Sequence, residues 1–121
     1  MARRMSFSMT EPQLMDGSKD ITRRLGWAWL RAGDLLTAIR KGMGLKRGEK
    51  QVVLCEIQVV SARRERLDAI DQDDCRREGF PDLTPAQFVA FFCNANRGCK
   101  PHTILTRIEF RRVACAQKEA A

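Results

Sequence analysis

Residues 51–64 set the strongest constraint on the fold. Val53, Cys55, Ile57 and Val59 fall on one face of this stretch, and Leu54, Glu56, Gln58 and Val60 form a mixed second face. Successive side chains of a strand point to opposite sides, so the alternation predicts one long strand, apolar on one side and partly covered on the other. A strand of that length curves around its core, which predicts a curved sheet or barrel.

The other segments fit around it. Met5-Ser6-Phe7-Ser8-Met9 alternates large apolar and small polar residues, as in a short half-buried strand. Pro12 suits a first helical position, and Gly17 suits the left-handed stop of a one-turn helix. Residues 35–40 read as a strand. The segment 41–50, with three glycines and several cations, reads as a flexible basic loop. Asp71 is placed to cap a helix reaching about Glu78, with Asp73 and Asp74 in its first turn, where the helix dipole favours acids. Thr84-Pro85-Ala86-Gln87 has the form of a capping box. Phe88, Phe91, Phe92 and Ala95 then make a helical stripe assigned to the core, and Gly98 ends the helix. Residues 104–113 close the fold as a strand, leaving 114–121 as a frayed tail. The fold class expected is α+β: a small, mostly antiparallel β-barrel flanked by short helices, forming one domain over residues 1–113.

The chain has 121 residues, 44% hydrophobic and 31% charged, which suits a soluble globular domain, expected in the cytoplasm. No apolar run approaches the ~20 residues of a membrane span, and the start has a basic flank without a continuous apolar stretch, so neither membrane insertion nor a signal peptide is expected. The five cysteines include no C-x-x-C pair, which predicts reduced thiols. Cys93, Cys99 and His102 lie close in sequence, but their spacing lacks the tight pairs of a zinc site, so no metal and no cofactor is expected. The net charge of +7 is uneven: residues 1–50 carry a net +6. One part of the surface is therefore basic and favours an anionic partner, nucleic acid or nucleotide first.

Within that basic half, Gly17-Ser18-Lys19-Asp20-Ile21-Thr22-Arg23-Arg24 concentrates the chemistry. If the chain is extended from Ile21, Thr22 and Arg24 share a face and Lys19 arches over from the loop. That makes an anion-facing cluster; a solvated basic turn is the plain alternative. Trp27 and Trp29, two apart, face the same way in extended chain and can stack on a base or serve as core. Lys41, Lys46, Arg47 and Lys50 are expected to touch phosphates as point charges.

Gly17-x-Lys19-x-x-Thr22-x-Arg24 resembles the signature of the ASCH domain, a relative of the PUA RNA-binding domain. The similarity continues through Ala32-Gly33-Asp34, Glu78-Gly79-Phe80 and the Phe-rich helix to Thr106-Arg107-Ile108-Glu109-Phe110. The resemblance implies a barrel with helices and binding of RNA, or of single-stranded nucleic acid more broadly; with the charge and stacking arguments above, the expected contacts are Lys19, Arg23, Arg24, Trp27 and the four loop cations. Some members are hydrolases that deacetylate 4-acetylcytidine, and others are linked to ribonuclease activity. The amidohydrolase pattern falls here on Lys19, Thr22 and Glu78, which implies a modified nucleoside as the alternative ligand. The extra loop 41–50 and the Trp27/Trp29 segment depart from the compact amidohydrolases. In the plain reading of the same residues, Lys19 and Glu78 form an ion pair closing the cleft, with Thr22 hydrogen-bonded inside. An interaction protein without any nucleic-acid role is the third reading.

Overall fold

The computed structural model describes residues 3–115 of the 121-residue chain. Five strands form one sheet: β1 (Arg3–Ser6), β2 (Ile21–Arg24), β3 (Leu35–Ile39), β4 (Val53–Arg66) and β5 (Ile104–Cys115). Helix α1 (Glu11–Asp16) joins β1 to β2; α2 (Gln72–Arg77) and α3 (Pro85–Ala95) lie between β4 and β5. Strand order across the sheet is β1-β3-β4-β5-β2.

The long strand expected at 51–64 is β4, displaced slightly toward the C-terminus. Cys55, Ile57 and Val59 are buried as the alternation requires, but Val53 is exposed and Leu54 is buried instead. The register shift against β3 explains the change of phase: Ala38 lies opposite Cys55 and Ile39 opposite Val53, so Leu54 is the extra residue of a bulge. Two more shifts, at Glu56/Ile57 and Val59/Ser61, interrupt the β4–β5 ladder. Both shifts also curl the pair.

The sheet is open rather than a closed barrel, and it is mixed. β1 pairs parallel to β3, whereas β3–β4, β4–β5 and β5–β2 are antiparallel. Edge strands β1 and β2 have four residues each. They approach one another without pairing: Arg24 of β2 donates from Nη2 to the Ser6 carbonyl at 2.6 Å, so a side chain bridges the seam where a ladder would close a barrel.

Several local signals act as read. Gly17 takes φ +86° and stops α1, a conformation that a Cβ disfavours. Asp71 caps α2 by accepting from the Asp74 N–H, and Thr84 and Gln87 form a complete capping box on α3. Three segments differ. The first strand spans residues 3–6 rather than 5–9. Residues 25–33 are turns, not extended chain: Trp27 has φ +56°, and the two tryptophan rings lie 5.5 Å apart and tilted by 33°. β5 runs on through Cys115, whose backbone lies opposite that of Cys55 in the ladder, so the first two residues of the expected tail belong to the sheet. The remainder of that tail lies outside the described residues.

Two apolar clusters fill the fold. Met5, Phe7, Leu36, Ile57, Val59, Ile108 and Phe110 pack on the sheet's concave side. Leu67, Ile70, Cys75, Phe88, Phe92 and Leu105 pack where α2 and α3 cover the far ends of β4 and β5. Among the described residues no helix is long and apolar enough to cross a membrane.

Candidate functional site

A cavity of about 340 Å³ opens at the seam between β1 and β2, at the junction of the two apolar clusters. Phe7 reaches it from the first cluster; Phe88 and Phe92 reach it from the second. Phe80, Phe91 and Trp27 complete an aromatic wall, and Thr22, Arg23, Arg24 and Glu78 supply polar groups.

The polar floor follows from β2. Its side chains alternate, so Thr22 and Arg24 share a face, as the spacing predicts. The Arg24 Nε donates to Thr22 Oγ1 at 2.9 Å, and its guanidinium lies 4.9 Å above the Phe7 ring. Thr22 is 3% exposed. Burial lowers the Arg24 pKa to about 10, with Glu78 as the only opposing influence.

Arg23 points the other way into a buried ion network. Its Nη1 donates to Glu78 Oε2 at 3.2 Å, and its Nη2 donates to Asp74 Oδ2 at 2.5 Å and Glu65 Oε2 at 2.9 Å. The β2–β5 register sets Arg23 directly opposite Arg107. Two guanidinium groups in that position repel. Asp74 resolves the conflict: Oδ2 accepts from Arg23 and, at 2.8 Å, from Arg107 Nε, while Oδ1 accepts from Arg107 Nη2 at 3.1 Å. Desolvation pushes the Asp74 pKa up, but the two arginines overcome it and hold the carboxyl well below the ordinary range.

Lys19 arches over from the loop after α1, as expected. The loop is pinned by Lys19 N–H to the Gln13 carbonyl (3.1 Å) and by Asp20 N–H to the Arg77 carbonyl (3.0 Å). The Lys19 ammonium is buried and donates to the Glu78 carbonyl at 2.7 Å and to Glu78 Oε1 at 3.0 Å. Burial lowers its pKa, opposed by the Glu78 carboxylate. Lys19 and Glu78 are therefore an ion pair. Glu78 reaches the cavity wall and Lys19 stands behind it. Glu78 sits at the end of α2, followed by Gly79 at φ +98°, where an added Cβ would lie 3.1 Å from the Gln13 side chain. That glycine turns the chain so that Glu78 and Phe80 both reach the cavity.

Lys19, Thr22, Arg23, Arg24, Trp27 and Glu78 are thus brought to one place. The loop cations are not. Among the described residues, none of 41–50 lines the cavity; Lys41 is paired with Glu49 at 3.0 Å, and Lys46, Arg47 and Lys50 are exposed. Trp29 is 51% exposed and carries Arg3 over its ring at 5.0 Å. Cys93 and Cys99 line a separate groove beside Pro101 that His102 does not line. Among the described residues no group of three or more His, Cys, Asp or Glu is placed to hold a metal.

Sequence reasoning missed the roles of Asp74, Glu65 and Arg107. Asp74 reads in sequence as a dipole-favoured acid in a helix first turn; only the pairing of β2 with β5 reveals it as a bridge. It also missed the double use of the phenylalanine stripe. Phe88 and Phe92 are core as expected, yet both line the cavity with the half-buried Phe91 and Ala95.

No family model matches the sequence, and no curated protein matches it. Two solved structures share its architecture. The crystal structure of protein EF3133 from Enterococcus faecalis V583, of the family DUF984, superimposes with a TM-score of 0.68 at 15% identity, covering 95% of this chain and 82% of that one. The high-resolution crystal structure of an ASCH domain from Lactobacillus crispatus JV V101 gives 0.60 at 14% identity, covering 93% of this chain and 80% of that one. On these superpositions the chain has the fold of the ASCH domain, whose signature Gly17, Lys19, Thr22 and Arg24 resemble in sequence.

Proposed function

We propose that the chain binds nucleic acid through an unpaired base seated in the seam cavity, with single-stranded RNA as the ligand class and a free nucleoside as its minimal form. One observation carries this reading: the aromatic rings of Trp27, Phe80 and Phe91 and the hydrogen-bonding groups of Thr22, Arg24 and Glu78 line one small cavity together. Every base has a π face that stacks on such rings and an edge that pairs with such groups. The volume of about 340 Å³ lies within the range of small-ligand sites and suits one base with part of its sugar. The exposed Lys46, Arg47 and Lys50, with Lys41, would attract the backbone outside the cavity.

The only tryptophans are Trp27 and Trp29, at the cavity and next to it, so intrinsic fluorescence reports on the site. Titration with single-stranded RNA is expected to quench it, with affinity falling steeply as salt rises, because displaced counterions drive the association. Replacing Lys41, Lys46, Arg47 and Lys50 together by alanine should weaken all sequences alike and flatten the salt slope by up to about four charges' worth. No response to RNA, single-stranded DNA or nucleosides at low salt would remove the reading.

A second reading, hydrolysis of an acylated nucleoside, draws on a separate observation. Arg24 donates to the Thr22 oxygen, which leaves the hydroxyl proton free, and the Glu78 carboxylate that shares the cavity is backed by a buried lysine of lowered pKa. Arg24 would stabilise the developing alkoxide, and the Glu78–Lys19 pair would carry the proton to the leaving amine. On this reading Thr22→Ala reduces 4-acetylcytidine hydrolysis by roughly a hundredfold or more while nucleoside binding survives. On the binding reading the wild type leaves 4-acetylcytidine uncut over hours, and the substitution changes affinity only modestly.

A further inference from the structure

The seam cavity holds a cation that the protein does not neutralise. Every buried carboxylate of the network already has its partners: Glu78 has Lys19 and Arg23, Asp74 has Arg23 and Arg107, and Glu65 has Arg23. Arg24 has none of them. Its hydrogen bonds go to two neutral oxygens, Thr22 Oγ1 and the Ser6 carbonyl, and among the described residues no carboxylate lies within ion-pair distance of it. Neither bond uses Nη1, so that nitrogen keeps both of its protons available.

The neighbouring Arg23 guanidinium is fully buried in the ion network, so Arg24 is the arginine of the pair that faces the cavity. A largely buried charge without a carboxylate partner is costly, so Arg24 marks a position that an anion fills. Burial lowers the Arg24 pKa, and the Glu78 charge offsets this only in part.

We propose that the cavity takes a ligand with a phosphate oxyanion, which pairs with Arg24, next to a ring held by the aromatic wall. This rests on the preceding reading of the cavity as the binding site and adds that the anion enters the seam itself rather than staying on the basic loop. A planar guanidinium with free donors is the group that suits phosphate oxygens best. The ligand phosphate can be a terminal monoester or an internal phosphodiester, and the two are separable by probe.

The test is a fluorescence and calorimetric titration of the full chain with three probes: cytidine, cytidine 5′-monophosphate, and the dinucleoside phosphate cytidylyl-(3′→5′)-cytidine. Either charged probe is expected to bind about tenfold or more tighter than cytidine, as a charge-assisted hydrogen bond in a desolvated site requires. The better charged probe names the phosphate type. Arg24→Gln should abolish the difference, whereas Arg76→Gln on the surface of α2 should leave it in place. If cytidine binds as tightly as both charged probes, the inference is overturned and the base-binding reading stands. If the preference survives Arg24→Gln, the anion sits elsewhere and the inference is likewise overturned. If no probe binds, both fail. The three-probe comparison on wild type decides the question even where Arg24→Gln does not fold.

Discussion

Asp74→Ala is expected to destabilise the protein by roughly 3–5 kcal/mol, the usual cost of removing one partner from a buried ion network. Among the described residues Asp74 is the only carboxylate that pairs with both Arg23 and Arg107, which the strand register sets opposite one another. Without it, two guanidinium groups face each other in a site from which water is largely excluded. The side chain also receives three of the network's hydrogen bonds, none of which alanine replaces. The sign of the pH dependence follows from the lowered pKa of the folded state. The stabilisation is complete above the unfolded-state value of about 4 and is lost as pH falls below it through the lower folded value, so the wild type should lose more stability on acidification than the variant does. Asp73→Ala, one residue away and exposed, pairs only with Arg76 on the helix surface and should change stability by less than about 0.5 kcal/mol. Urea unfolding at pH 7 and at pH 3.5 checks both statements.

Phe88→Ala carries the second large effect, about 3–5 kcal/mol of stability together with loss of ligand binding. Phe88 is 2% exposed, meets Phe80 edge to face at 5.8 Å, and belongs at once to the helical core and to the cavity wall. Truncation leaves a void on the core side and removes the support that holds Phe80 against the ligand space. Phe91→Ala separates the two roles. Phe91 is half-buried, with its ring 5.1 Å from that of Phe80, so its loss should spare most of the stability. Base affinity should nevertheless fall by about 1–3 kcal/mol, the worth of one stacking contact. Equal losses of stability in the two variants would show that the wall is core alone.

What could be read in the sequence follows from how far each signal reaches along the chain. The capping box at Thr84 and Gln87, the stop at Gly17 and the shared face of Thr22 and Arg24 each rest on residues at most three apart, and local geometry decides them. The alternation of β4 and β5 is nearly as local. The pairing of β1 with β3 is not, because a parallel ladder needs two segments more than thirty residues apart and leaves no periodic mark on either. The open seam was hidden for the same reason: two four-residue edges and one arginine bridging them are indistinguishable, in sequence, from a closing ladder. The turn at Trp27 was hidden by its own residue type, since a tryptophan at positive φ is rare enough that alternation with Trp29 suggested a strand instead. In the candidate site, Lys19, Thr22, Arg24 and Glu78 were legible from the motif and its family resemblance. Asp74 was not, because its role depends on a β2–β5 register that no local pattern encodes.

The central claim is that the ligand enters the seam between β1 and β2. Nuclear magnetic resonance of the labelled protein, titrated with cytidine 5′-monophosphate and a short single-stranded RNA, tests it residue by residue. The account predicts that the Trp27 indole N–H, the Arg24 Nε–H and the backbone amides of Thr22, Phe80 and Phe91 shift together in a saturable way with both ligands, while loop 41–50 responds to the RNA alone. Shifts confined to loop 41–50, with the Arg24 and Trp27 signals unmoved at saturation, would contradict it.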